Sequence, residues 1–117
     1  MNEGQYIKLV EMLMEATSRG LLEWKHDTSD DVFYTTINQC RINVDAYYDS
    51  SIKDNSASLE LFNSDGASFK TYLYSEIIDH DDYSRLKLLY EKVKDKYYRI
   101  SESERNILEG LDALLNK

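Results

Sequence analysis

Asp79-His80-Asp81-Asp82 is the densest run of side chains in this chain that could do chemistry, since carboxylates with an imidazole bind divalent cations. Four consecutive residues cannot all converge on one ion, however. Aspartates ahead of a strongly helical segment have a simpler role at its N-cap and in its first turn, where they meet free backbone N–H groups and the positive end of the macrodipole. The sequence therefore predicts a helix start here and no metal site. The other histidine, His26, falls in a different loop, and Cys40, the single cysteine, stands in a tight turn with no histidine near it in sequence. A thiol needs an electropositive setting to become a nucleophile, so Cys40 reads as inert. There is no glycine-rich phosphate loop, C-x-x-C pair, H-E-x-x-H or G-x-S-x-G. No residue is singled out as catalytic, no cofactor is expected, and the expectation is a non-enzyme.

The chain has 117 residues, no proline and a net charge of −8, which suits one α+β domain over residues 1–117. Residues 1–84 hold 16 acidic and 6 basic side chains, whereas residues 85–99 hold 6 basic and 2 acidic ones. An acidic domain with one locally basic helix is a poor ligand for nucleic acid or an anionic membrane, both of which select Lys and Arg. With no signal-like segment, no long apolar run and no possible internal disulfide, the expected location is cytoplasmic.

The elements that would carry a site centre on residues 32–74. Val32–Ile37 is rich in β-branched and aromatic residues, and Asn38-Gln39-Cys40 follows as a tight connection. Ile42, Val44 and Ala46 alternate with polar neighbours, as do Leu59 and Leu61, then Phe69, Thr71 and Leu73. Asp49–Ser56 reads as a loop, and Asn63-Ser64-Asp65-Gly66 as a hairpin turn. Leu21–Lys25 makes a short first strand, with His26–Asp31 a polar loop after it. The result is an antiparallel meander of about five strands.

One face of that sheet would bury Phe33, Ile37, Ile42, Val44, Leu59, Leu61, Phe69 and Leu73. The other would carry Tyr34, Thr36, Arg41, Asn43, Glu60, Phe62, Lys70, Tyr72 and Tyr74. Before the sheet, Gln5–Arg19 reads as an amphipathic helix with the stripe Tyr6, Leu9, Val10, Leu13, Met14 and Thr17, ended by Gly20. Trp24 is expected as a packing anchor where helix meets sheet. Two C-terminal helices follow, Asp82–Tyr98 and a last one opened by a Ser101/Glu104 capping box, with Ile107, Leu108, Leu111, Leu114 and Leu115 as its stripe. That last helix would cover the sheet or pair with a second copy.

The order of features resembles a loose group of small bacterial α+β proteins of unassigned function. The residues that carry the likeness are Leu13, Thr17 and Gly20, then Leu22 and Trp24, then Phe33–Ile37, and finally Leu59-Glu60-Leu61-Phe62-Asn63 with Gly66. They span about the first two thirds of the chain and determine fold, so the resemblance implies an architecture of helix, antiparallel sheet and two helices. It implies no function.

The acidic charge and the tyrosines of the second sheet face together suggest a protein-binding module for a basic partner, of the immunity or inhibitor type. Its expected contact residues are Tyr34, Phe62, Tyr72 and Tyr74, rimmed by Glu60, Asp30 and Asp31. The competing reading lays a helix over that face and makes it a second buried layer. A self-associating structural protein, such as a homodimer, and a protein with a tyrosine-lined small-ligand pocket are the alternatives.

Overall fold

A computed structural model describes residues 3–117, so the first two residues of the single-domain span lie outside it. The order of elements is α1 (Glu3–Ser18), β1 (Lys25–Asp27), β2 (Val32–Ile37), β3 (Cys40–Asp49), β4 (Asp54–Phe62), β5 (Ser68–Ser75) and α2 (His80–Leu115). The strands form one antiparallel sheet in sequence order, β1-β2-β3-β4-β5. Both helices pack on one face of it, where Tyr6, Val10, Leu13, Phe33, Val44, Leu59, Leu86, Leu89 and Val93 make the core.

Short-range chemistry explains most of these boundaries. At the end of α1, Gly20 at φ +69° lets its N–H reach the Thr17 carbonyl, while the Leu21 N–H reaches that of Ala16. That pair of bonds is a Schellman stop. Asn38 and Gln39 both take positive φ, the two-residue turn whose twist matches a hairpin, and they join Ile37 to Cys40. After β4, Asn63 Oδ1 accepts from the Asp65 and Ala67 N–H groups and Gly66 sits at φ +87°. Asp49–Ser56 is not one loop: β3 runs to Asp49 and β4 begins at Asp54, with Asp49 Oδ1 accepting from the backbone and hydroxyl of Ser51 in the turn. Polar residues hold strand positions there because the long β3–β4 ladder pairs Asp49 with Asp54, Tyr48 with Asn55 and Tyr47 with Ser56.

The first strand lies at Lys25–Asp27 rather than Leu21–Lys25, because pairing with Val32–Tyr34 sets its register. Asp27 then turns the chain by accepting from Ser29 N and Ser29 Oγ at 3.1 and 2.9 Å. Trp24 lies just before the strand, buried, and its Nε1 donates to Thr17 Oγ1 at 3.0 Å.

The last strand turns the opposite face to the core from the one its alternation implies, burying Tyr72 and exposing Phe69 and Leu73. Phe62 pairs with Ser68, but Leu61 pairs with Lys70, so Phe69 is an extra residue in β5. One inserted residue turns every later side chain to the opposite face. Tyr72 comes opposite Leu59 and is buried, while Phe69 and Leu73 are more than half exposed. Ile37, at the hairpin end of β2, is exposed too.

The C-terminal segment, expected as two helices, is one 36-residue helix. Ser101 and Glu104 can cap a helix only if the chain before them leaves helical geometry. No glycine or proline makes it do so, and i,i+4 ion pairs Lys87–Glu91, Arg99–Asp95 and Arg105–Glu109 run along the helix. Asp79 does stand at the N-cap, yet its carboxylate accepts from the Ser75 N–H at 3.4 Å and makes no cap bond. Asp81 and Asp82 occupy the first turn. A helix this long spans about 54 Å at 1.5 Å per residue, and it gives the molecule extents of 58 × 34 × 26 Å.

Candidate functional site

Two surfaces are candidates for a functional site, the open face of the sheet and the far half of α2. On the sheet, Tyr34 of β2, Arg41 of β3 and Phe62 of β4 lie side by side, because Arg41 pairs with Phe62 and Tyr34 sits diagonally across the β2–β3 ladder. The Arg41 guanidinium carbon stands 3.8 Å from the Tyr34 ring centre and 5.9 Å from that of Phe62. Its Nε donates to Asn43 Oδ1 at 2.7 Å and one terminal nitrogen reaches Asp27 Oδ2 at 3.4 Å. Ser29 holds the Asp27 carboxyl below its ordinary range by donating its hydroxyl, with the Asp30 N–H and Arg41 adding to the effect. An open depression of about 290 Å³ is lined there by Asp30, Arg41, Asn43, Phe62 and Gly66.

The seven residues singled out from the sequence do not form one patch. Tyr34, Glu60 and Phe62 share the open face, with Glu60 accepting from the Ser68 hydroxyl at 2.7 Å. Asp30 and Asp31 flank it in the β1–β2 turn, where Asp31 meets His26 Nε2 at 2.8 Å. Tyr72 and Tyr74 point the other way, with ring centres 4.8 and 5.1 Å from that of Tyr6 on α1. Burial pushes the Tyr6 phenol well above its ordinary value, and the phenol donates to the Asp82 carbonyl at 3.1 Å. Arg41, the centre of the open face, could not be picked out beforehand, since its role depends on which strands become neighbours.

The sequence stripe on the last helix proves to be part of something longer. Tyr83, Leu86, Tyr90, Val93, Tyr97, Ile100, Glu104, Ile107, Leu111 and Leu114 recur at alternating steps of three and four along α2. This spacing keeps them on one side of the helix. On that side Tyr83, Leu86 and Val93 are buried against the sheet and α1, while Tyr90 and Tyr97 are half-buried against Phe33. Every residue from Tyr98 to Lys117 is exposed. Ile100, Ile107, Leu108, Leu111, Leu114 and Leu115 are each 50–83% exposed, so the apolar side continues beyond the sheet with no described residue covering it. Where the helix leaves the sheet, Glu23, Trp24, Lys25, Tyr97, Ile100, Ser101 and Glu104 line a notch of about 240 Å³.

The acidic run at the start of α2 lines another open cleft, with Ile7, Ile78 and Arg85. Arg85 donates to Asp82 Oδ1 at 3.2 Å there. Among the described residues no group of three or more His, Cys, Asp or Glu side chains is placed to hold a metal ion. Nor is any described helix long and apolar enough to cross a membrane. No protein-family model, curated protein or solved structure matches the chain.

Proposed function

We propose that the chain is a small acidic, non-enzymatic protein-binding module whose docking surface is the projecting half of α2. The observation that carries this reading is the apolar side of that helix, which serves as core as far as Val93, is half-buried at Tyr97 and then runs on exposed to Leu115. Contiguous apolar surface of that extent is what protein contacts bury. A helix presenting anchors at steps of three and four is a recurring recognition element. The form of the reading in which a basic partner binds at the sheet rests on net charge, because two of its four aromatic contacts face the helices.

The test is a photo-reactive residue placed in living cells at Leu111, and separately at Glu109 on the opposite side of the helix. Adducts to polypeptide at position 111 and not at 109 are expected. Equal labelling at both positions, or none at 111, overturns the reading.

A further inference from the structure

The sheet itself limits what can lie on the exposed side of α2, since the same side of the same helix is occupied by β3, β4 and β5 over its first half. A partner helix laid along residues 97–115 must therefore stop where the sheet begins. A second copy running parallel and in register would need its own first half in the space that the sheet fills. A second copy running antiparallel avoids this, because each helix then ends at the other's sheet.

We propose that the occupant is a second copy of this chain, paired antiparallel about a two-fold axis near residues 105–106; this rests on the docking surface proposed above. Residue spacing brings complementary positions together in that arrangement. Tyr97 comes opposite the partner's Leu114, Ile100 opposite the partner's Leu111, and Glu104 opposite the partner's Ile107. The partner's Leu114 and Leu115 then reach the notch formed by Trp24, Tyr97 and Ile100 and close it. Leu108 and Leu115 widen the seam on one flank while Ser103 and Gly110 line the other. Gly110 sits mid-helix with nothing within 4 Å of an added Cβ in the single chain, so the lone chain shows no use for it, and two helices closing on that flank would. The six apolar residues exposed along the stripe offer at most on the order of 700 Å² per chain, somewhat below the roughly 800 Å² that each partner buries in a standard interface, which fits a reversible dimer.

Charge agrees with the arrangement. Residues 100–117 carry 4 acidic and 2 basic side chains, so most of the −8 resides elsewhere. The two acidic domains lie at opposite ends of a seam about 27 Å long, well beyond the roughly 8 Å screening length at physiological salt. Association through this seam is apolar and persists at high salt, unlike capture of a basic partner.

Sedimentation equilibrium of the full chain over a wide concentration range tests the proposal. The expected result is a reversible dimer of twice the 13.7 kDa chain mass, weakened at least 100-fold by Leu111→Glu and tightened at least 10-fold by Glu104→Leu, which removes the one carboxylate from the seam. In a Cys40→Ser background, Ile100→Cys and Leu111→Cys chains should form a disulfide when mixed and not when oxidised separately. A monomer at every concentration, a dimer indifferent to Leu111→Glu, or cross-linking of each cysteine variant with itself overturns the proposal. Photo-adducts at Leu111 to a different protein, together with a monomeric chain, would overturn the second copy and leave the docking surface standing. The absence of adducts at Leu111 would remove both.

Discussion

The rings of Tyr6 on α1 and Tyr72 on β5 stand 4.8 Å apart and tilted by 41°, joining the first helix to the last strand across the core. Both are buried, but only Tyr6 donates its hydroxyl, to the Asp82 carbonyl; Tyr72 Oη has no partner among the described residues. Tyr72→Ala is therefore expected to cost about 3–5 kcal/mol, as for a large ring removed from a core. Tyr72→Phe removes only the orphan hydroxyl, which costs about 1–3 kcal/mol where it is buried unpaired, so the variant should match or exceed the parent. Urea unfolding of both variants checks the pair.

Thr17 Oγ1 accepts from Trp24 Nε1 and donates to the Leu13 carbonyl, at 3.0 and 2.6 Å. Thr17→Val keeps the shape and strands a buried indole N–H. A loss of about 1–3 kcal/mol is expected, while Thr17→Ser should lose less. Denaturation midpoints and tryptophan fluorescence would show whether Trp24 leaves its site.

Arg41 lies over Tyr34 and is held by Asn43 and Asp27 at a half-exposed position. Arg41→Ala should cost about 1 kcal/mol through the lost ring and polar contacts. Arg41→Lys should recover little, since an ammonium cannot stack on the ring and direct a planar fork at the same time. Parallel urea titrations of the two variants decide it.

Asp45 on β3 has its carboxyl pushed above the ordinary range, chiefly by burial, with Asp31 adding to it and the Ala46 N–H opposing it. A raised folded value favours the protonated form, so its contribution is fully present below the unfolded value and lost as pH rises through the folded one. Asp45→Asn should therefore raise Tm by a few degrees at pH 7, and the gain should shrink toward zero in acid. Asp27 and Asp49 are shifted the other way by Ser29 and Ser51, and both lose stabilisation as pH falls through their folded values. Thermal melts of the parent and Asp45→Asn from pH 3 to 7 would separate these effects.

Among the described residues none beyond Tyr97 belongs to the core, so removing residues 102–117 should leave the unfolding free energy within about 0.5 kcal/mol of the parent at low concentration, as for changes remote from packed groups. The same truncation should abolish concentration-dependent assembly. Scattering and urea melts on one sample series would read both.

Much of the sheet was legible because its signals are local. Alternation in Ile42–Ala46 and Leu59–Leu61 reports a two-sided environment wherever the strand lies, and Asn38-Gln39 and Asp65-Gly66 turn through conformations open to few residues. The stripe on α1 and its Gly20 stop were legible for the same reason, as was Trp24 as an anchor. The candidate site was less so. Tyr34, Glu60 and Phe62 were correctly grouped on one face, but Tyr72 and Tyr74 were assigned to it by an alternation that the bulge at Phe69 interrupts, and Phe69 looks like any strand residue.

Amino-acid types and their spacing by themselves determined the α+β class, the antiparallel meander, the acidic charge and an apolar side on the C-terminal segment. Each follows from neighbours a few residues apart. Tertiary structure alone decided which way β5 faces, that Ser101 and Glu104 lie inside a helix, and where the sheet stops covering α2. These depend on which distant strand pairs with which and how far the paired strands reach. The apolar stripe from Ile100 to Leu115 is the same sequence pattern as the one from Leu86 to Tyr97, and only the length of the sheet makes one of them core and the other surface.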